Sequence, residues 1–338
     1  MSWTNQDVVR RFIAGKKRCF SSSRHLYFED NILYSYGRHF PLMIRLPAKN
    51  YPKIKTKNKN YLFILNGDRY STSTTAHQSF GNRMADVTVS LSAFPFSLFE
   101  GLDGKYRHGT VKIIDIVNDS RKERCFNIQD AISMAHAEEI VLDLTNGEMG
   151  YTCSISAHDD MIAGDGSQGV LKEIYVHRPG GMAVRYNRYV YVSSMDEGSY
   201  FVSKLPYHAK VHTFGDAISA LQPPELLQLE MGERNKVIRQ GEWFFMPRPD
   251  IETNNLPQPT QKMIDLAKAM GVENSGNLHI ARDVRVNGAV YARGTVSHKN
   301  RWNNKATGQH PRVNLKEVWH EVWLNQALES WSASGDVD

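Results

Sequence analysis

Ile280-Ala281-Arg282-Asp283-Val284-Arg285-Val286-Asn287-Gly288-Ala289-Val290-Tyr291-Ala292-Arg293-Gly294-Thr295-Val296 decides the fold class. Apolar and polar side chains alternate on both sides of Asn287-Gly288, which is the period of a half-buried strand. Asn-Gly is the pair a tight hairpin turn takes, because the central positions need positive φ. Two antiparallel strands follow from these seventeen residues. Their neighbours repeat the pattern, from Gly241-Glu242-Trp243-Phe244-Phe245-Met246-Pro247 before them to Val318-Trp319-His320-Glu321-Val322-Trp323 after them.

Outward from that hairpin the chain keeps the same texture. Strand-like runs recur at His25–Phe28, Ile32–Tyr36, His39–Leu46, Val87–Leu91, Thr110–Val117, Tyr151–Ser156, Leu171–His177, Ala183–Ser193 and Tyr200–Leu205. A second Asn-Gly pair, Asn66-Gly67, predicts a hairpin between Tyr61–Leu65 and Arg69–Thr75. Helical spacing is confined to short stretches: Gln6–Ala14 capped by Asn5, Ala76–Met84 capped by Thr75, about Asn127–Asn146, a Pro223-Pro224-broken segment after Gly215, and Gln261–Met270 closed by Gly271. The fold class is α+β, strand-rich, built mainly of antiparallel hairpins with a few short packed helices. A basic domain over residues 1–110 and a larger strand-rich domain over 111–338 are expected.

The 338 residues are 41% apolar and 23% charged, an ordinary globular balance. No run nears the ~20 apolar residues of a membrane span, and residues 1–15 lack a signal-peptide pattern. Cys19, Cys125 and Cys153 are too few and too scattered for a disulfide framework or a thiolate zinc site. A cytoplasmic setting without a membrane partner is expected.

The net charge of +5 conceals an asymmetry. Residues 1–60 hold thirteen Lys and Arg against Asp7, Glu29 and Asp30, a balance of +10 that leaves −5 for the rest. A basic arm of this kind suits a polyanion such as DNA or RNA. Lys53, Lys55, Lys57 and Lys59 stand at every second position; in a strand they form a phosphate comb, and in a loop a solvated basic tether. Arg185-Tyr186-Asn187-Arg188-Tyr189 interleaves cations and rings, with strand parity putting Arg185 beside Tyr189 and Tyr186 beside Arg188. Lys299, Arg301 and Trp302 open a basic segment with amide side chains, where phosphate contact, stacking and base-edge recognition all find donors. For each of these the alternative is an exposed polar surface.

Leu33-Tyr34-Ser35-Tyr36-Gly37-Arg38-His39-Phe40-Pro41-Leu42 and Leu65-Asn66-Gly67-Asp68-Arg69-Tyr70-Ser71 resemble a pattern in uncharacterised bacteriophage and mobile-element proteins, over roughly residues 30–85. The resemblance implies a biological context and carries no activity.

Two other classes compete with nucleic-acid binding. His279, His298 and His320, with His310 in the same segment, offer imidazoles to a divalent metal, the basis of a metal-dependent hydrolase or nuclease. His158-Asp159-Asp160 before a glycine-rich stretch is either an oxygen-rich cation site or a turn. No nucleophile elbow, dinucleotide fingerprint or Walker loop occurs. A phage structural or host-interaction protein is the third class.

Overall fold

A computed structural model describes residues 3–68, 71–102, 110–118, 120–125, 139–146, 149–156, 170–178, 180–196, 199–234, 236–252, 264–272, 278–299, 312–332 and 335–336. The fold is strand-rich α+β with several antiparallel sheets and few helices. Among the described residues no helix is long and apolar enough to cross a membrane.

The chain divides into two compact units that are discontinuous in sequence: Met1–Asp119, Pro179–Ala220 and Ala327–Gly335 form the first, and Ser120–Arg178, Leu221–Gln326 and Asp336–Asp338 the second. The parting expected near residue 110 is not where the units separate, because Val111 and Ile116 are buried in the core of the first.

In the first unit, helix α1 (Asn5–Ile13) precedes strands β1 (Arg18–Phe20), β2 (Leu26–Glu29), β3 (Ile32–Ser35), β4 (Pro41–Pro47) and β5 (Tyr61–Asn66). Helix α2 (Thr72–Gly81) and strand β6 (Val87–Val89) follow. The six strands lie in sequence order, antiparallel except for the parallel pair β5–β6. Thr4, one residue before the expected cap, starts α1 with a capping box: its hydroxyl accepts from the Asp7 amide at 3.2 Å and its amide donates to the Asp7 carboxylate at 3.1 Å. That bonding to Thr4 holds the Asp7 carboxyl below its ordinary pKa.

Asn66-Gly67 does not turn a hairpin. The chain leaves β5 there, runs through α2 capped by Ser71, and returns in parallel as β6, making a strand–helix–strand unit. Helix α1 buries Val8, Val9 and Phe12 on one sheet face against Phe28, Leu33, Leu42 and Phe63. The opposite face, with Ile44, Leu62, Ile64, Val87 and Val89, packs on a second sheet through Met182, Val184, Tyr191 and Val202. That sheet runs β23 (Gly335–Asp336), β22 (Glu329–Ser332), β14 (Ser199–Lys204), β13 (Tyr189–Asp196), β12 (Gly181–Tyr186), β7 (Val111–Val117), antiparallel from β22 to β7.

The second unit holds two sheets. In one, β10 (Met149–Ser156), β9 (Glu139–Asn146), β11 (Val170–Arg178) and β8 (Ser120–Cys125) lie side by side. Residues 139–146, expected as the end of a helix, are therefore a strand. Ile140, Val141 and Thr145 are β-branched, and pairing on both edges outweighs helical spacing there. The other sheet runs β15 (Ile238–Gln240), β16 (Trp243–Pro247), β21 (His320–Leu324), β19 (Ala289–Lys299), β18 (Leu278–Asn287), β17 (Ile264–Asp265), with β20 (Val313–Asn314) on β19. The β18–β19 hairpin turns at Gly288, whose φ of 72° supplies the positive angle the Asn-Gly pair predicted. The helix expected over 261–270 is shorter, Leu266–Met270, and Gly271 at φ 68° ends it as expected.

Arg45 fixes the first unit internally. Its side chain is 4% exposed and bonds backbone oxygens of Phe12, Lys16 and Asp30, while its carbon centre lies 4.7 Å from the Phe12 ring and 5.0 Å from the Tyr61 ring. Burial pulls the guanidinium below its ordinary pKa, and no carboxylate bonds it among these contacts. Replacing Arg45 by Met removes charged hydrogen bonds to three carbonyls, each worth ~1.5–3 kcal/mol, so urea unfolding is expected to report a loss of at least about 3 kcal/mol. A loss under about 1 kcal/mol would mean that water takes over the three carbonyls and that Arg45 is dispensable.

Candidate functional site

Antiparallel order brings every turn at one end of the first sheet together. The start of β1, the β2–β3 turn, the end of β4 and the starts of β5 and β6 all lie there, tied by Asp30 N to Lys17 O at 2.8 Å, Ala48 N to Asn60 O at 2.9 Å and Asp86 N to Phe63 O at 2.9 Å. Lys16, Lys17, Arg18, Lys49 and Arg83 are exposed at this end, and so are Lys53, Lys55, Lys57 and Lys59. Against them stand Glu29, which holds Arg18 at 3.4 Å, exposed Asp30, and buried Asp86.

Residues 51–60 form a loop rather than a strand, so the comb reading of the four lysines gives way to a different arrangement. The loop is anchored. Tyr51 and Ile54 pack on the core, the Asp86 carboxylate accepts from the amides of Lys57 at 2.6 Å and Phe63 at 2.7 Å, and the Lys57 ammonium bonds Ala85 O. Burial raises the Asp86 pKa against the pull of those two amides and of Lys57. Alternate residues turn inward, which leaves Lys53, Lys55 and Lys59 outward on a fixed backbone, while the exposed Lys57 is tied back through its ammonium to Ala85.

Arg185 and Arg188 flank the β12–β13 turn. Asn187, at φ 54°, reverses the chain, so Tyr186 and Tyr189 become register partners on one face. Parity along a straight strand had put them on opposite faces. Arg185 pairs with Val190 and with exposed Lys112 on the other face. Arg188 instead joins an aromatic group: it donates to the Tyr189 hydroxyl at 2.8 Å and lies 5.0 Å from that ring and 5.9 Å from the Tyr207 ring. The Lys204 ammonium sits 4.6 Å from the Tyr189 ring and 2.7 Å from Glu329. Tyr207 is 66% exposed, with its ring 5.5 Å from that of Tyr189. The Arg188 hydrogen bond, then that of Tyr207, lowers the Tyr189 pKa.

Of the three candidate metal ligands the structure brings two together. His279 and His298 are register partners at the β18–β19 end, fully buried or nearly so, with ring centroids 4.6 Å apart. The Glu242 carboxylate lies 3.7 Å from His279 Nδ1 and the Trp243 ring 5.5 Å from the His279 ring. Two strands separate Glu242 from His279 in the sheet order, and flat strands ~4.8 Å apart do not permit such contact, so this sheet curls toward closure. His320 is elsewhere. It pairs with Ala292, six residues before His298 on β19, or roughly 20 Å along the strand. Burial lowers its pKa, and its Nδ1 lies 3.0 Å from Val318 O. Among the described residues no three His, Cys, Asp or Glu side chains are grouped to hold a metal ion. Lys299 is half-buried at the end of β19; Arg301, Trp302, His310 and the His158-Asp159-Asp160 run lie outside the described residues.

The opposite end of the first sheet carries polar chemistry that the sequence reading missed. Asn66, Asp68, Thr74, His77 and Gln78 are all buried around the exit of β5 and the first turns of α2. His77 Nδ1 lies 2.8 Å from the Ser35 hydroxyl, and the Asn5 side-chain nitrogen lies 3.2 Å from Nε2. With Asn5 donating to Nε2, the imidazole proton is on Nδ1 and points to Ser35, so His77 is not set to take a proton from that hydroxyl. Their signal in the sequence is polar residues at helical spacing, Thr74, His77 and Gln78, where a buried helix face calls for apolar ones.

Burial, with a smaller contribution from His25, lowers the His77 pKa. A folded-state pKa below the unfolded imidazole value of about 6.5 makes protonation favour unfolding. The stabilisation is complete above that value and is lost as pH falls toward the folded pKa. His77→Gln is expected to flatten the fall in melting temperature between about pH 7 and 5; parallel curves for the two proteins would refute the assignment. No family model, curated protein or solved structure matches the chain.

Proposed function

We propose that this is a nucleic-acid-binding protein acting in the cytoplasm, of bacteriophage or mobile-element type, whose phosphate-contacting surface is the cationic end of the six-stranded sheet. The observation that carries this reading is the anchored loop: four exposed lysines on a backbone fixed by Asp86, joined by Lys16, Lys17, Lys49 and Arg83. A loop that is already ordered loses little conformational entropy when it meets a phosphate backbone. Arg188, Tyr189, Lys204 and Tyr207 support an additional contact with unpaired bases, since an exposed ring flanked by cations stacks on any base. The alternative of a metal-dependent hydrolase using His279, His298 and His320 loses support from the separation of His320 from the other two.

Fluorescence anisotropy with labelled single-stranded DNA and RNA over a salt series tests the reading. Wild-type affinity is expected to fall steeply with salt, and Lys53→Ala/Lys55→Ala/Lys59→Ala to lower the log–log slope by about 0.7 for each phosphate that is no longer neutralised. These side chains are exposed, so the melting temperature is expected to stay unchanged. Absence of binding by the wild type at low salt, or equal slopes for the two proteins, would remove the proposal.

Tyr207→Ala separates stacking from charge. It is expected to weaken single-strand binding about 5- to 150-fold, the equivalent of ~1–3 kcal/mol, and to leave duplex binding nearly unaltered. An equal loss on single strands and duplexes would mean that the ring is no stacking platform.

A further inference from the structure

The lysine loop hangs from the first sheet and the Arg188–Tyr189 turn from the second, and the packing of the two sheets brings them to one end. At the far end, the Ser90 amide beyond β6 donates to the Ser193 hydroxyl at 3.2 Å, and the Tyr200 ring lies where a Cβ on Gly67 would stand. Ser193 and Tyr200 stand on either side of the β13–β14 turn. From there β13 leads back four residues to Tyr189 and β14 on four residues to Lys204, about 13 Å in each case. β5 and β6 lead back over a comparable span to Tyr61 and Val87, beside the lysine loop, and sheets packed face to face in this way keep their strands nearly aligned.

The side chains agree. Tyr51 and Ile54, which anchor the lysine loop, pack on the same cluster as Tyr186 and Tyr189. Tyr189 shares its sheet face with buried Tyr191, and Lys204 is the register partner of Tyr191, so Tyr189 and Lys204 lie on the face turned to the first sheet. Tyr207 stands outermost, 66% exposed, with its ring 5.5 Å from that of Tyr189. Glu329 is held by Lys204 at 2.7 Å, which leaves exposed Glu100, whose neighbour Gly101 lies against Val111, as an acid of this rim.

A duplex can offer such a surface phosphates only, because its bases are paired and stacked among themselves. A single strand offers a phosphate at every step and an open ring face between phosphates, and cations beside an exposed ring meet both. Building on the nucleic-acid reading of the lysine loop, we propose that one single strand crosses this end of the unit, with phosphates on Lys53, Lys55 and Lys59 and a base on Tyr207. The lysine loop and the ring pair are then one site for unpaired nucleic acid.

Oligothymidylates of two and twelve nucleotides, with 5-iodouracil placed at each position in turn, distinguish one site from two on the full chain. Anisotropy reads affinity and stoichiometry, and ultraviolet cross-linking reads which base meets Tyr207. The dodecamer is expected to bind one per protein, at least about a hundredfold more tightly than the dinucleotide, because its second contact forms within an existing complex. Lys53→Ala/Lys55→Ala/Lys59→Ala is expected to lower cross-linking of the dodecamer to Tyr207 at least about tenfold at limiting protein, and that of the dinucleotide, too short to reach both features, less than about twofold. The dodecamer paired into a duplex is expected to bind at least about tenfold more weakly than the single strand. Two dodecamers per protein, a bound dodecamer that cross-links Tyr207 from no position, cross-linking untouched by loss of the lysines, or equal affinity for duplex and single strand each overturn the inference and leave the lysine surface standing. No binding of either form at low salt overturns both.

Discussion

One guanidinium ties one end of the first unit's six-stranded sheet together. Arg45 reaches from β4 to carbonyls at the close of α1 and at the β2–β3 turn, between the rings of Phe12 and Tyr61. A helix ends with carbonyls that have no intrahelical donor, and a buried end needs another donor. Arginine meets that need with several N–H groups in one plane and stays charged despite burial, whereas a lysine offers one compact ammonium that sheds its proton more readily. Because α1, the β2–β3 turn and β4 are tied here, the cationic segments that leave this end start from fixed points.

The six-stranded sheet thus separates two chemistries by its length. At one end, antiparallel turns gather exposed cations that, among the described residues of this sheet, meet two exposed or half-buried acids, Glu29 and Asp30. At the other, the parallel pair ends among buried neutral polar side chains and one carboxylate, bridged by bonds from Asn66 and Asp68 to the amides of Leu91 and Ser92. The parallel pair makes the difference: a hairpin after β5 would have closed that end with a turn, and the excursion through α2 brings a helix start to it instead.

Local patterns were legible wherever one short-range force dominated. Asn287-Gly288 gave its hairpin, Gly271 its helix end, and the alternation of β18 and β19 its two faces. Legibility failed where a local preference met a longer-range demand. Asn66-Gly67 has the same turn preference as Asn287-Gly288, yet Gln78 of α2 bonds the buried carbonyls of Asn66 and Asp68 beside β5 and the chain goes that way. Residues 139–146 carry helical spacing in strand-forming residues, and two neighbouring strands settle the matter. Of the candidate site, the lysines are visible in the sequence as cations at every second position, while the partnership of Asp86 with their loop spans about thirty residues and has no sequence signature. The histidines were seen as a group because they are close in sequence; strand register sets His298 and His320 apart.

The pairing of β14 with β22 has a consequence for biosynthesis. The cross-strand partners Lys204 and Glu329 are 125 residues apart in the chain. At ~5–20 residues per second, the ribosome takes roughly 6–25 s to reach the second after making the first. Throughout that interval the backbone donors and acceptors along one side of β14 await their neighbour, a row able to recruit any extended segment at hand. The first unit begins to form early and is sealed late, so its nascent form depends on whatever shields that strand until Glu329–Ser332 emerges.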